Sequence, residues 1–114
     1  MVTTFRATEG FTVDQGSISV SQFHDGPISF DLTARLDEGE TPTNPVFALR
    51  LLPTVAGGDE TDFPAGLVGS PGIAGNIVSQ RVAGLTFGRV YRLVLTFGAA
   101  GDRRSTEVFV RVVA

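Results

Sequence analysis

The chain has 114 residues, a net charge of −3 and a pI near 4.9, and all nine of its basic residues are Arg. That length makes one domain, spanning residues 1–114. The acidic balance argues against a nucleic-acid binder, which would show a basic face, and the absence of Cys excludes disulfides and thiolate chemistry.

The predicted elements are short strands. Thr, Val, Ile and Phe fill the apolar runs, and Gly, Pro, Asp and Asn separate them. Residues 3–8 read as a first strand, although residues 1–16 as a whole are also a candidate extended N-terminal arm. Residues 17–23 alternate, with Ile18, Val20 and Gln22 on one face. "HDGP" (24–27) reads as a turn. Residues 28–36 alternate best: Ile28, Phe30, Leu32, Ala34 and Leu36 point one way, and Ser29, Asp31, Thr33 and Arg35 the other. A polar loop (37–45) follows, then a strand at 46–53. The Gly/Pro-rich stretch 54–75 is long for a loop and is expected to hide a short strand around Leu67–Val68. Strands at 76–85, 89–97 and 105–113 complete the chain. The last two form a hairpin whose loop, "GAAGDRR" (98–104), is longer than the tightest types.

About seven such strands predict an all-β, immunoglobulin-like antiparallel sandwich, with a small barrel as the alternative. Tyr91, the only tyrosine, favours the sandwich. In immunoglobulin-like domains a Tyr near the start of the penultimate strand turns its hydroxyl back onto the backbone a few residues upstream. In "LTFGRVY" (85–91), Leu85 supplies an apolar anchor, Gly88 an unusual backbone angle and Tyr91 the phenol. These three are the predicted structural corner.

Chemistry finds little purchase in this sequence. His24 is the single histidine; it reads as a residue of the "HDGP" turn, and adjacent His24 and Asp25 point in different directions. No nucleophile elbow accompanies them. "GGDETD" (57–62) gathers Asp59, Glu60 and Asp62 without the spacing of a calcium loop, and reads as a solvated acidic loop. One His and no Cys leave a zinc site without its usual ligands. "AGLVGSPGIAG" (65–75) lacks both phosphate-loop patterns. The adjacent charges of "DEGE" (37–40) are not carboxylates facing each other across a cleft. No catalytic, cofactor-binding or metal-binding residue is assigned, and the chain is expected not to be an enzyme.

Two features point to protein contacts. "GDRRS" (101–105) puts Arg103 and Arg104 at the expected hairpin tip, where sandwiches carry recognition. The last hairpin is apolar on both faces, with Phe109 and Val113 opposite Val108, Val110 and Val112. Such a face is covered either by a loop of the same chain or by another subunit. Hydrophobic residues make up 42% of the chain and charged ones 18%, a balance that fits a surface covered on assembly. Arg103, Arg104, Phe109 and Val113 are therefore the candidate interface residues.

"ISFDLTARLDEGETPTNPVFAL" (28–49) is a strand entering an acidic, Gly-containing turn. "GNIVSQRVAGLTFGRVYRLVLTFGAAGDRRSTEVFVRV" (75–112) is a strand, a Gly-containing corner with Tyr, a strand, a polar turn and a last strand rich in Val and Arg. Together they resemble the small immunoglobulin-like structural domains of tailed-bacteriophage virion proteins. That resemblance implies a capsid cement or decoration protein, or else a neck, tail or fibre-attachment component. It implies other virion proteins as partners, a homo-oligomer held by many weak symmetric contacts, and no catalytic residues. Neither nucleic acid nor membrane is an expected partner: no run approaches the roughly 20 apolar residues of a membrane span. The N-terminus shows no signal peptide, which fits synthesis in the host cytoplasm and residence in the virion. The rival reading is a loop-based carbohydrate or cell-surface binding module, for which Phe63 and Phe87 are the candidate aromatic contacts. A small hydrolase on a β scaffold is a remote third, without an acid/base constellation.

Overall fold

A computed structural model describes residues 3–6 and 15–114. Nine strands lie within them: β1 Thr3–Arg6, β2 Gln15–Ser21, β3 Asp25–Asp31, β4 Thr43–Leu51, β5 Thr61–Asp62, β6 Leu67–Ala74, β7 Ile77–Ala83, β8 Val90–Ala99 and β9 Asp102–Val113. They form two sheets, ordered β1-β3-β7-β6 and β2-β9-β8-β4-β5. The fold is an all-β sandwich, not a closed barrel. Most pairings are antiparallel, but β1 runs parallel to β3 and β2 parallel to β9. Of the N-terminal arm, residues 3–6 pair with β3 and residues 15–16 open β2; the rest of it, with the end of the strand expected at 3–8, lies outside the described residues.

The core sits between the sheets and follows from period-two alternation. Ile28, Phe30, Val78 and Val82 come from one sheet, and Leu93, Leu95, Phe97, Val108 and Val110 from the other. All nine are fully buried. The rings of Phe30 and Phe47 meet across the gap, with centroids 5.7 Å apart and planes tilted by 55°.

Of the departures of the strand boundaries from the sequence reading, four have a local reason. The strand expected to run to residue 36 ends at Asp31, whose Oδ1 accepts both the Thr33 N–H (3.1 Å) and the Thr33 hydroxyl (2.7 Å). That Asx turn competes with the ladder and starts a 3₁₀ turn, Thr33–Arg35. The turn expected at 24–27 begins earlier, at residues 22–23, and Asp25, Gly26 and Pro27 already belong to β3.

The strand hidden in the Gly/Pro stretch is longer than two residues: β6 spans Leu67–Ala74 and carries a bulge between Val68 and Gly72. A buried amide fills that bulge. Gln80, on the core side of β7, donates from Nε2 to the carbonyls of Val68 (3.0 Å), Gly69 (3.2 Å) and Arg81 (3.0 Å). Finally, the last hairpin is tight. Ala99 pairs with Asp102, leaving Ala100 and Gly101 as the loop, with φ of 50° and 87°. Two positive φ values in a two-residue loop are the type I′ geometry that matches strand twist. Ala rarely adopts it, which is why the turn does not announce itself in the sequence.

The sandwich has two ends. At the hairpin end lie the Ala100–Gly101 tip and the 32–42 loop. At the corner end, β4 and β9 finish, β3 and β8 begin, and three loops meet: residues 22–24, 52–60 and 84–89.

Candidate functional site

The predicted corner residues come together at the corner end. The Thr86 N–H donates to the Tyr91 hydroxyl at 3.0 Å. Tyr91 is 1% exposed, and its ring packs on Phe63 with centroids 5.4 Å apart. Leu85 is buried in the core beside it. Gly88 takes φ +81° and donates its N–H to the Val112 carbonyl at 3.1 Å. Arg89 follows and donates from Nη2 to the Leu52 carbonyl at 3.1 Å. The corner thus ties the start of β8 to the ends of β4 and β9.

Around it stand apolar side chains that the fold does not bury. Phe23 is 82% exposed, Val55 66%, Phe87 56% and Val113 40%. All belong to this end: Gln22 donates to the Val113 carbonyl (2.7 Å), Gly88 adjoins Phe87, and Leu52 donates to the Val90 carbonyl (3.0 Å). A shallow cavity of about 440 Å³ lies beside Phe23, bounded by Val20, His24 and Val113. His24 itself is buried, and its Nε2 N–H donates to the Gly26 carbonyl at 3.1 Å. It orders the turn into β3.

Arg103 and Arg104 are not at the hairpin tip. Both lie within β9, paired with Gly98 and Phe97. The shift follows from the two-residue turn, which draws residues 102–104 into the ladder. Arg104 makes a two-pronged contact with Glu40, at 2.8 and 3.1 Å, and also donates to the Arg35 carbonyl at 2.8 Å. Its guanidinium, with the Asp37 N–H, holds the Glu40 carboxyl below the ordinary glutamate value. Arg35 in turn donates to the Ser105 carbonyl at 2.8 Å. Arg103 is exposed and donates to the Asn44 carbonyl at 3.3 Å.

The outer face of the five-stranded sheet bears on the two-faced hairpin. Phe109 is half-buried there, as are Val90 and Val94. Part of the cover comes from the chain's own acidic loop. Glu60 reaches Arg92 (2.6 Å) and Arg50 (3.0 Å), Arg92 also holds Glu107 (2.9 Å), and Arg50 holds Asp62 (2.9 Å). Five alternating charges therefore cross the face from β9 to β5. The Arg92 hydrogen bond holds the Glu60 carboxyl below its ordinary value, assisted by Arg50 and opposed by partial burial. Sequence reasoning missed this ladder. The available signal was that Arg50 and Arg92 alternate with inward apolar residues and must face out; which loop would meet them was not readable. Glu60, expected to be solvated, is partly buried between Arg92 and Arg50, whereas Asp62 meets Arg50 and stays exposed. Among the described residues no group of three potential metal ligands converges, and no helix is long and apolar enough to cross a membrane.

Neither a protein-family model nor a curated protein matches the chain.

Proposed function

We propose that this chain is a non-enzymatic structural protein of a tailed-bacteriophage virion, a capsid cement or decoration protein that binds the shell in many symmetric copies. The observation that carries the reading is the corner end. Phe23, Val55 and Phe87 stand exposed on loops whose backbones are tied down by hydrogen bonds, at the same end as Val113, the last residue of β9. Apolar groups presented on a fixed frame bind with little ordering cost, and over many copies each contact needs only modest strength. Also in support, the sheet orders and the tyrosine at the corner are compatible with an immunoglobulin-like sandwich to which β2 and β5 are added at the two margins of the larger sheet. The residue patterns at 28–49 and 75–112 supply the likeness to virion domains.

On this reading the protein is made in the host cytoplasm and resides in the virion, its partners are other virion proteins, and a neck, tail or fibre attachment is the alternative seat. The test is to probe particles purified from a lysate of the phage that encodes the chain with an antibody against it. Regular labelling of the shell is expected, and labelling confined to the neck or tail moves the protein there. A chain that never co-purifies with particles overturns the reading. Purified Phe23→Ser/Phe87→Ser protein should rebind depleted particles about tenfold more weakly.

A loop-based sugar or cell-surface binder is the second reading. Phe63 is turned onto Tyr91 and is lost to it, but Phe23 joins Phe87 as an exposed ring at the same end. Glycan-array binding that disappears with Phe87→Ser would favour it.

A further inference from the structure

We propose that β2 is the seam of a homodimer, in which two copies join their β2 margins antiparallel about a two-fold axis at Ile18 and continue the five-stranded sheet from one copy into the next. The inference does not rest on the virion reading.

The sheet margins differ in how they are protected. An exposed strand edge is a template for another strand, and proteins blunt it with charge, Pro, bulges or shortness. The β6 margin has a bulge containing Gly69 at φ +72° and Pro71. At the opposite margin of the larger sheet, β5 is two residues long and carries the Asp62 carboxylate, while the uncovered part of β4 holds Pro45 and an Asn44 at φ +47°. β1 is four residues long. β2 has none of these protections. It pairs with β9 over seven consecutive residues without a register shift, and its sequence, QGSISVS, contains no charge and no Pro.

Among the described residues no strand pairs with the other side of β2, and the direction of its outward backbone groups can be read from two bonds. The Gln22 N–H donates to the Val113 carbonyl at 2.7 Å, so Gln22 faces β9. The Ser21 carbonyl instead points away and accepts the His24 N–H at 2.9 Å. Backbone direction alternates along a strand. Ser17 and Ser19 therefore each turn both N–H and C=O to the open margin, while Ile18 and Val20 bond to β9.

This arrangement is complementary to itself. With Ile18 opposite Ile18 of a second copy, Ser17 lies opposite the second copy's Ser19, and each such pair exchanges both N–H···O=C bonds. The two exposed hydroxyls then face each other on the outer side. On the inner side Ile18, only half-buried and packed at the rim of the core, gains the partner's Ile18 in a close non-hydrogen-bonded pair. No like charges meet along the seam, because β2 has none.

The test uses the full chain. Sedimentation equilibrium over a range of concentrations is expected to show a monomer–dimer equilibrium, with hydrogen exchange at the Ser17 and Ser19 amides slowing as the dimer fills. Ser19→Pro removes a margin-facing N–H and no bond to β9, and should raise Kd about tenfold or more. If that variant fails to fold, Ser17→Lys/Ser19→Lys at the two exposed positions decides, since it sets like charges opposite each other across the axis. A wild-type monomer with fast-exchanging Ser17 and Ser19 amides at every concentration overturns the proposal, as does a dimer that both variants leave unchanged. An extended segment of another protein that protects those amides while this chain stays monomeric overturns it too.

Discussion

The two ends of the sandwich solve the same problem with different chemistry. Each must hold loops against the ends of a two-layer core. The hairpin end does it with charge: Arg104 grips Glu40 and the Arg35 carbonyl, and Arg35 reaches the Ser105 carbonyl. The corner end relies more on one buried phenol and on backbone bonds from Gln22, Leu52 and Gly88, to which it adds the Arg89 guanidinium on the Leu52 carbonyl, the Arg81–Asp25 pair and Glu60 between Arg50 and Arg92. The difference has a consequence. A loop clamped by an ion pair brings its polar groups with it and presents a polar surface. A loop clamped through its backbone leaves its side chains free, and here those side chains are Phe23, Val55 and Phe87. Among the described residues, Phe23 and Phe87, on the backbone-clamped loops 22–24 and 84–89, are the two large rings that the fold leaves exposed.

The largest effect expected from breaking this contrast is at Tyr91. Tyr91→Ala should cost about 3–5 kcal/mol in denaturant unfolding, the usual loss for a buried aromatic. Tyr91→Phe should cost about 1 kcal/mol, because only the Thr86 hydrogen bond is lost and that amide can reach water. Equal losses for the two variants would mean that the hydroxyl, rather than the packing, holds the corner.

Acid should separate the ends next. Glu40 has its pKa lowered from 4.5, first by the Arg104 hydrogen bond and then by the Asp37 amide. A depressed carboxyl contributes stability that is fully present above its unfolded value and is lost as pH falls through the folded one. Below about pH 4.5, amide exchange at residues 32–42 should therefore accelerate before that at residues 84–91. In Arg104→Ala the 32–42 segment should already exchange faster at pH 7, and its acid response should flatten. A uniform response at both ends would remove the distinction.

A smaller change should strengthen the hairpin end. Ala100 sits at φ 50° in a turn that favours Asn-Gly. Ala100→Asn is expected to stabilise by about 0.5–1 kcal/mol, seen as a raised denaturation midpoint with an unchanged slope. The smallest effect on folding belongs to the exposed rings. Phe23→Ser and Phe87→Ser should each shift stability by no more than about 0.5 kcal/mol, even where they abolish a binding event. A large loss of stability would show that these rings serve the fold instead of a partner.

Much of this was legible in the chain, and the parts that were not share a cause. The alternation at Ile28, Phe30, Tyr91, Leu93, Leu95 and Phe97 marks their buried face because strand periodicity is local. The corner was readable for the same reason, since Leu85, Gly88 and Tyr91 lie within one short loop and the strand it opens. The Arg50–Glu60–Arg92–Glu107 ladder was not readable, since it depends on which loop folds over which face. The place of Arg104 was lost with one turn: a two-residue loop at Ala100–Gly101 converts a presumed tip into a strand and turns a presumed contact residue toward Glu40. The bulge in β6 and the buried Gln80 that fills it escaped notice because a polar residue at an inward position looks like an error until the carbonyls it satisfies are in place.

By itself, then, the sequence determined an all-β sandwich of short strands, the inward side of most strands, and the corner at Tyr91. These rest on period-two burial and on backbone angles that Gly, Pro and Asp impose over a few residues. Only the tertiary structure decided the order of the sheets, the parallel β2–β9 margin, the partners of each Arg and the gathering of Phe23, Val55, Phe87 and Val113 at one end. Those depend on contacts between segments tens of residues apart, whose pairing is chosen by the packing of the whole core.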